Sequence, residues 1–425
     1  MDDCKPLVHG RLVYDSYPLR SELQGQYAVH CSVWSDGIVV LTNTNQLLVV
    51  SLMDATPGVQ RFITGDLPEG VTALEVNEPI RAAKETLEIL LACGKSVLIA
   101  GSKSCRSHDI FGGEVVMLRV SPNRQFLAIF TTTGKLLVVT MDFSRIISDF
   151  DTKSSAPPEQ LAWCGDDSVV LYWAEILLMV GPHGDWIKYS YEIPAKLTSE
   201  IDGLRVITSE RHEFIFRVPH ALVDACSIGS TTPAAMLRDV VEQFVDGPVK
   251  AERSLKSIGS DLPLAVTGCI RAACAEINAR RQHGLLRAAY CGASYMSLQK
   301  IHFDPWALHK ACTLLRILNA VRSPVIGIPL TYVQYCHTGL RALVERLISM
   351  HHHLLAARIL SMQGKGTQEV LQHWAVSKIP TSTDVPDSVV SEIIRTKLAS
   401  SPGLSYAPVA YEAHKRGRTR WGGAG

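Results

Sequence analysis

Three short stretches hold residue types that do chemistry elsewhere, and their spacing decides what each can do. Gly94-Lys95-Ser96 follows an apolar run and has the ending of a phosphate-binding P-loop. Such a loop needs a glycine five residues before its Gly-Lys pair, so that backbone N–H groups can fold around phosphate. Ile89 occupies that position, so a hairpin turn is expected instead. Gly364-Lys365-Gly366-Thr367 fails in the same way, with Ile359 where the glycine belongs. His351-His352-His353 supplies metal-ligand side chains, but consecutive helical residues point in different directions and cannot grip one ion. They suit a helix end, where imidazole near the last carbonyls is favourable.

The remaining candidates are thinner. Cys269 and Cys274 are spaced for opposite flanks of a helix, not for zinc. Asp166-Asp167 precedes strand residues and reads as a turn. No GxSxG, HExxH or paired-carboxylate pattern appears in the chain. The expectation is a chain that is not an enzyme, with no catalytic, cofactor or metal residue to name and with its partner-binding residues unassigned.

Composition points the same way. Lys plus Arg number 42 and Asp plus Glu 41, a net charge of +1, so no basic field exists to hold nucleic acid or anionic lipid. The N-terminus, MDDCKPLVHG, lacks the charged and apolar regions of a signal peptide. The most apolar stretch, residues 169–180, is too short to span a bilayer and is broken by Glu175. Eleven cysteines are scattered without CxxC pairs, and no Asn-x-Ser/Thr site occurs, which suits reduced thiols in the cytoplasm. A length of 425 residues exceeds what one core usually serves.

The elements that would carry any site change near residue 230. Before it, apolar tetrads recur: Leu47-Leu48-Val49-Val50, Val97-Leu98-Ile99-Ala100, Leu136-Leu137-Val138-Val139 and Leu177-Leu178-Met179-Val180. One unit per ~40–50 residues is β-propeller spacing. The first three tetrads each follow a partner strand (38–41, 90–92, 127–130) and a tight connection at Asn43-Thr44-Asn45, Gly94-Lys95 or Thr133-Gly134. A β-sandwich with similar hairpins is the alternative, and the regular repeat favours the propeller. About four blades are countable, so a partial propeller is expected.

After residue 230 the period becomes helical. Thr232-Pro233 opens a helix with Leu237, Val240, Val241 and Phe244 on one face. Asp304-Pro305 opens another, with Leu308, Ala311, Leu315 and Leu318. Thr331 opens a third, whose stripe is Val333, Cys336, Leu340, Leu343, Leu347 and Met350. Further helices are expected near 262–278, 279–296, 353–363, 367–377, 387–399 and 405–416. The 3-4 stepping lasts too briefly for a coiled coil. Short loops imply antiparallel stacking, and the absence of a closing pattern favours an α-solenoid over a single bundle. The expected organisation is an incomplete propeller at 1–220, a linker at 221–232, a solenoid at 233–420 and a tail at 421–425.

Several longer motifs carry a resemblance. Met141-Asp142-Phe143-Ser144, and Ala156-Pro157-Pro158-Glu159-Gln160-Leu161-Ala162-Trp163-Cys164, are similar to a late blade of the vacuolar protein sorting-associated protein 16 family. Asp202-Gly203-Leu204-Arg205-Val206, His212-Glu213-Phe214 and Val218-Pro219 resemble its last blade. Leu285-Leu286-Arg287-Ala288-Ala289 is similar to an early solenoid helix. The stretch 315–332 is the most family-specific, and His373-Trp374-Ala375 and Pro402-Gly403-Leu404-Ser405-Tyr406 extend the match.

The resemblance covers about 118–420. It implies a non-catalytic core subunit of the HOPS and CORVET tethering complexes, which act in membrane fusion and vesicle-mediated transport. It also implies association with other class C vacuolar sorting subunits and with a Sec/Munc-type SNARE chaperone. The location it implies is cytoplasmic, and peripheral on late endosome and vacuole or lysosome membranes. Another propeller–solenoid coat or nuclear-pore-like scaffold is the alternative. Against the family pattern the chain reads as truncated at both ends, with the SNARE-chaperone contact lying beyond it. Lys415, Arg416, Arg418 and Arg420 read as a solvated chain end. Ile393, Ile394, Leu398, Val409 and Tyr411 are expected to lack cover, and residues 1–60 and those after Ser400 to be the least stable.

Overall fold

A computed structural model of the chain describes residues 7–8, 11–12, 26–34, 37–51, 59–62, 67, 70–78, 87–101, 105–110, 112–154, 156–301, 303–382, 385–399 and 404–418. The tail at 421–425, Arg420 and the Pro402-Gly403 pair lie outside them. Two compact units divide the chain, Met1–Arg217 and Val218–Gly425.

The first unit is a β-propeller with five blades among the described residues. A short pair, β1 (Leu7–Val8) and β2 (Arg11–Leu12), precedes them. Blade one holds β3 (Ala28–Trp34), β4 (Gly37–Thr42), β5 (Leu47–Ser51) and β6 (Val59–Arg61). Blade two holds β7 (Val71–Asn77), β8 (Glu88–Cys93), β9 (Ser96–Ala100) and β10 (Cys105–Asp109). Blade three holds β11 (Val115–Val120), β12 (Phe126–Thr131), β13 (Lys135–Thr140) and β14 (Ile146–Asp151). Blade four holds β15 (Gln160–Cys164), β16 (Ser168–Trp173), β17 (Ile176–Val180) and β18 (Trp186–Ser190). Blade five has three strands, β19 (Lys196–Glu200), β20 (Gly203–Ile207) and β21 (His212–Ile215). It carries no apolar tetrad, which is why counting tetrads finds four blades.

Each tetrad is the third strand of its blade, and each expected partner strand is the second. These strands are continuously apolar because both of their faces are covered. Along β8, Leu90 and Ala92 pack toward blade three with Leu127 and Ile129, while Ile89 and Leu91 pack toward blade one with Val39 and Leu41. The hairpins repeat as well as the strands. Thr42 and Thr131 occupy the same turn position 89 residues apart, as do Leu47 and Leu136. The Thr42 hydroxyl donates to Gln46 O at 3.3 Å and lies 3.0 Å from that of Thr44; for Thr131, Lys135 and Thr133 the distances are 3.3 and 2.9 Å. The first strands of blades one, two and three share a bulge near the start of their pairing.

The second unit is a stack of helices in which each packs on its near neighbours in sequence, as in a solenoid. The segment 221–232, read from sequence as a linker, carries most of a helix, His220–Cys226, whose Ala225 is buried in the helical core. The Thr232 cap forms as expected, its hydroxyl accepting from Ala235 N, and Asp304 caps Trp306 N at 3.0 Å. One apolar core runs from Ala225 to Val370, and a second gathers Ala375, Ile379, Val390, Ile394, Leu398, Val409 and Ala413. Ile394, Leu398 and Val409 are therefore buried, contrary to the sequence expectation, because the helix Gln368–Thr381 covers them from behind. Ile393 and Tyr411 are exposed.

The helix Tyr332–Ser349 corrects another expectation. Thr331 and Gln334 form a full capping box at its start. Its apolar stripe, however, is only half buried: Leu343 and Leu347 face the core, while Val333 is 48% exposed and Cys336 is exposed. Gly339 is the cause, with φ 81° and ψ 170° inside the helix. That residue breaks the helical phase, so a stripe drawn straight through it turns outward on one side. Before the break the core is met by Tyr335 and by Gln334, whose side chain serves the cap. Phe244, counted on the buried face of its own helix, is 40% exposed.

Candidate interaction surfaces

The Gly94-Lys95 pair is a two-residue turn between β8 and β9. Gly94 takes φ 57°, which a two-residue hairpin requires, and the Ser96 hydroxyl donates to Cys93 O at 3.1 Å. No phosphate cradle exists there. Gly364-Lys365 closes the helix His353–Met362: Lys365 N donates to Leu360 O at 2.9 Å and Gly364 N to Ser361 O at 3.1 Å. This is a Schellman ending.

The histidine run has the same backbone role. His351, at φ 62°, ends the helix Tyr332–Ser349, with His352 N donating to Leu347 O at 2.9 Å and His351 N to Ile348 O at 3.0 Å. His353 then starts the next helix, and its Nε2 lies 2.9 Å from Nδ1 of His373. The rings of His351, His353 and His373 cluster with centroids 5.2–6.2 Å apart. Sequence reasoning missed His373, because only the turn at 363–367 folds its helix back onto His353. Burial, with His351 alongside, pushes the His353 imidazole below its ordinary value. The His353–His373 hydrogen bond turns those nitrogens toward each other. Among the described residues no three His, Cys, Asp or Glu side chains are placed to hold a metal.

Cys269 and Cys274 are packing residues. Both are buried, and burial raises their thiols to about 12 and about 11, too high to form a nucleophilic thiolate at neutral pH. Asp166 and Asp167 do form a turn and are engaged there. Asp166 accepts from Asn123 N at 3.0 Å, and Asp167 pairs with Arg217 at 2.7 Å. Burial and Asp167 raise the Asp166 carboxyl.

The propeller's inner strands hold a further polar set that the sequence did not reveal. Glu75 on β7 pairs with Arg119 on β11, and Arg119 Nε also donates to Leu161 O on β15 at 3.2 Å. Trp163 Nε1 returns a bond to Arg119 O at 2.9 Å. Burial raises the Glu75 carboxyl, while Arg119, Val120 N–H and Ser32 pull it down. A buried carboxylate beside an arginine could suit acid–base chemistry, but here the pair ties blades two, three and four together. The Thr72 hydroxyl donating to Val115 O (2.7 Å) and Trp163 N donating to Ser199 Oγ (2.9 Å) tie further neighbours. No alternation pattern marks these residues, because their partners lie one blade away, some 40 residues along the chain.

A sequence model of the family described as Vps16, N-terminal region, matches residues 9–306, across both units. The chain belongs to the Vps16 family. It is 37% identical over 435 aligned positions to Protein VACUOLELESS1 of Arabidopsis thaliana, covering 97% of this chain and 50% of that protein. The Vps16 homologue of Dictyostelium discoideum is also 37% identical, over 92% of this chain and 48% of its own length. Vacuolar protein sorting-associated protein 16 of Saccharomyces cerevisiae is 31% identical, over 70% and 37%. The chain thus spans about half the length of these Vps16 relatives or less. Among solved structures, the β-propeller domain of Cps50 (Swd1) from Myceliophteria thermophila superposes with a TM-score of 0.34 at 12% identity, over 43% of this chain and 67% of that one. No described helix is long and apolar enough to cross a membrane.

Proposed function

We propose that this chain acts in vacuolar protein sorting as part of a non-catalytic scaffold subunit of a HOPS/CORVET-type tethering complex. In that role it joins other class C subunits and works peripherally on late endosome and vacuole or lysosome membranes, while the contact with a Sec/Munc-type SNARE chaperone lies outside residues 1–425. One observation carries the reading: the Vps16 family match runs through the propeller and on into the first helices of the second unit, so it is not a likeness of the blades alone. Named structural roles for the residues a catalytic reading would use support it: Lys95 turns a hairpin, Glu75 pins blades, Cys269 fills a core and Cys274 is buried.

The test is affinity purification of the tagged natural protein from its source cells, followed by mass spectrometry. Class C vacuolar sorting subunits are expected in near-stoichiometric amounts. Recovery with clathrin-type coat or nuclear-pore subunits instead would replace this reading with the other propeller–solenoid scaffolds.

A further inference from the structure

Blades three and four are separated at their outer edges by a cleft. At one end it opens into a cavity of about 670 Å³, within the range of sites that bury a ligand. Phe150, Trp173, Ile176 and Leu178 line it, and Phe150, Trp173 and Leu178 also pack on the core shared by the two blades. The floor is fixed: Trp173 Nε1 donates to Ala156 O at 3.0 Å and its ring meets Phe130 edge-on. Trp186 stands over the cavity 61% exposed, with the exposed Lys153 and Lys188 beside it. Neither lysine forms an ion pair among the described residues. Asp151 also lines the wall, its carboxylate accepting Lys153 N at 2.8 Å, and the two lysines outnumber it, so the end keeps a small net positive charge.

A smaller cavity of about 200 Å³ lies further along the same two blades, lined by Val138, Ile147 and Val180 among others. Asp166 and Asp167 border it, and Asp167 is neutralised by Arg217. From Ser148 at the small cavity to Thr152 at the large one, beyond the bulge at Ile147, the chain advances roughly 13 Å, the distance between side chains four apart on one face of an extended chain. The cleft is therefore long and apolar, with its positive charge at the large end. The exposed Ile147 on the flanking strand adds to the apolar rim.

We propose that this cleft docks an extended segment of a partner protein. The segment presents two apolar side chains four residues apart, with acidic residues beside the one that enters the large cavity. Its apolar side chains fill the two cavities and its carboxylates meet Lys153 and Lys188. The proposal stands on the lining of the cleft and does not depend on the tethering assignment.

The test uses the full chain and fluorescein-labelled nonapeptides read by polarisation. The probe carries Phe and Leu four positions apart with two aspartates beside the Phe, and it is made in both chain directions. Controls replace the aspartates with lysines. One direction of the acidic probe is expected to saturate. Trp186→Ala, or Lys153→Glu with Lys188→Glu, should weaken it about tenfold or more while the melting temperature holds, since all three positions are exposed. The lysine-bearing peptide should bind the double charge variant better than it binds the natural chain. Binding that ignores these substitutions, or no saturable binding in either direction, overturns the proposal. So does a dimer in sedimentation that Trp186→Ala dissolves, because the occupant is then a second copy of this chain.

Discussion

The second strands of the blades and the helix Tyr332–Ser349 are both apolar, yet they differ in how they meet the core. In β8, Ile89, Leu90, Leu91 and Ala92 are all fully buried, because alternate residues serve two different inter-blade cores. In the helix only one face is covered, so burial depends on phase, and Gly339 shifts the phase midway. A strand buried on both faces tolerates an error in register reading that a one-faced helix does not.

Substitutions sharpen this difference. Leu91→Asp should be the most damaging, costing about 4 kcal/mol or more, since it places a carboxylate in a core with no partner. Loss of soluble protein, or a collapse in melting temperature, is the expected reading. Leu343→Asp in the helix should cost about 3 kcal/mol. Val333→Asp, on the same drawn stripe but before the kink, should stay within about 0.5 kcal/mol. Equal melting losses at 333 and 343 would mean that the stripe is continuous and the kink irrelevant.

Smaller effects concern the devices that set the phase. Gly339→Ala meets no neighbouring atom, so its cost of about 1–2 kcal/mol is purely backbone strain at positive φ. A stabilised Gly339→Ala variant would show a helix free to straighten. Thr331→Ala removes the capping box and should cost about 1 kcal/mol.

The smallest expected effect is a pH dependence at His353. Its folded pKa lies below the unfolded one, so as pH falls below about 6.5 the unfolded chain binds a proton that the folded chain refuses. Stability is full above that range and declines until the folded group also protonates. His353→Gln should flatten this part of the melting-temperature profile, and an unchanged slope would place the titration elsewhere.

Much of the fold was legible because its signals are local. Tetrads, hairpin residues and the Thr232 and Asp304 caps each lie within a few residues of the structure they form. The fifth blade lacks a tetrad and showed only through its likeness to family motifs. Gly339 was hidden because a glycine two turns inside a periodic run looks ordinary until its φ is known. The Glu75–Arg119 pin, the His353–His373 contact and the cleft between blades three and four were not legible. Each is made by residues from different elements, and no spacing in the chain announces which blades or helices will meet.

The proposed role of this Vps16-family chain in membrane tethering rests on its surfaces. Content mixing between late endosomes and vacuoles or lysosomes in the source cells tests it most directly, with the natural protein depleted and then restored. Mixing is expected to fall on depletion and to return when the natural protein is restored. Mixing that continues unchanged after depletion would contradict it.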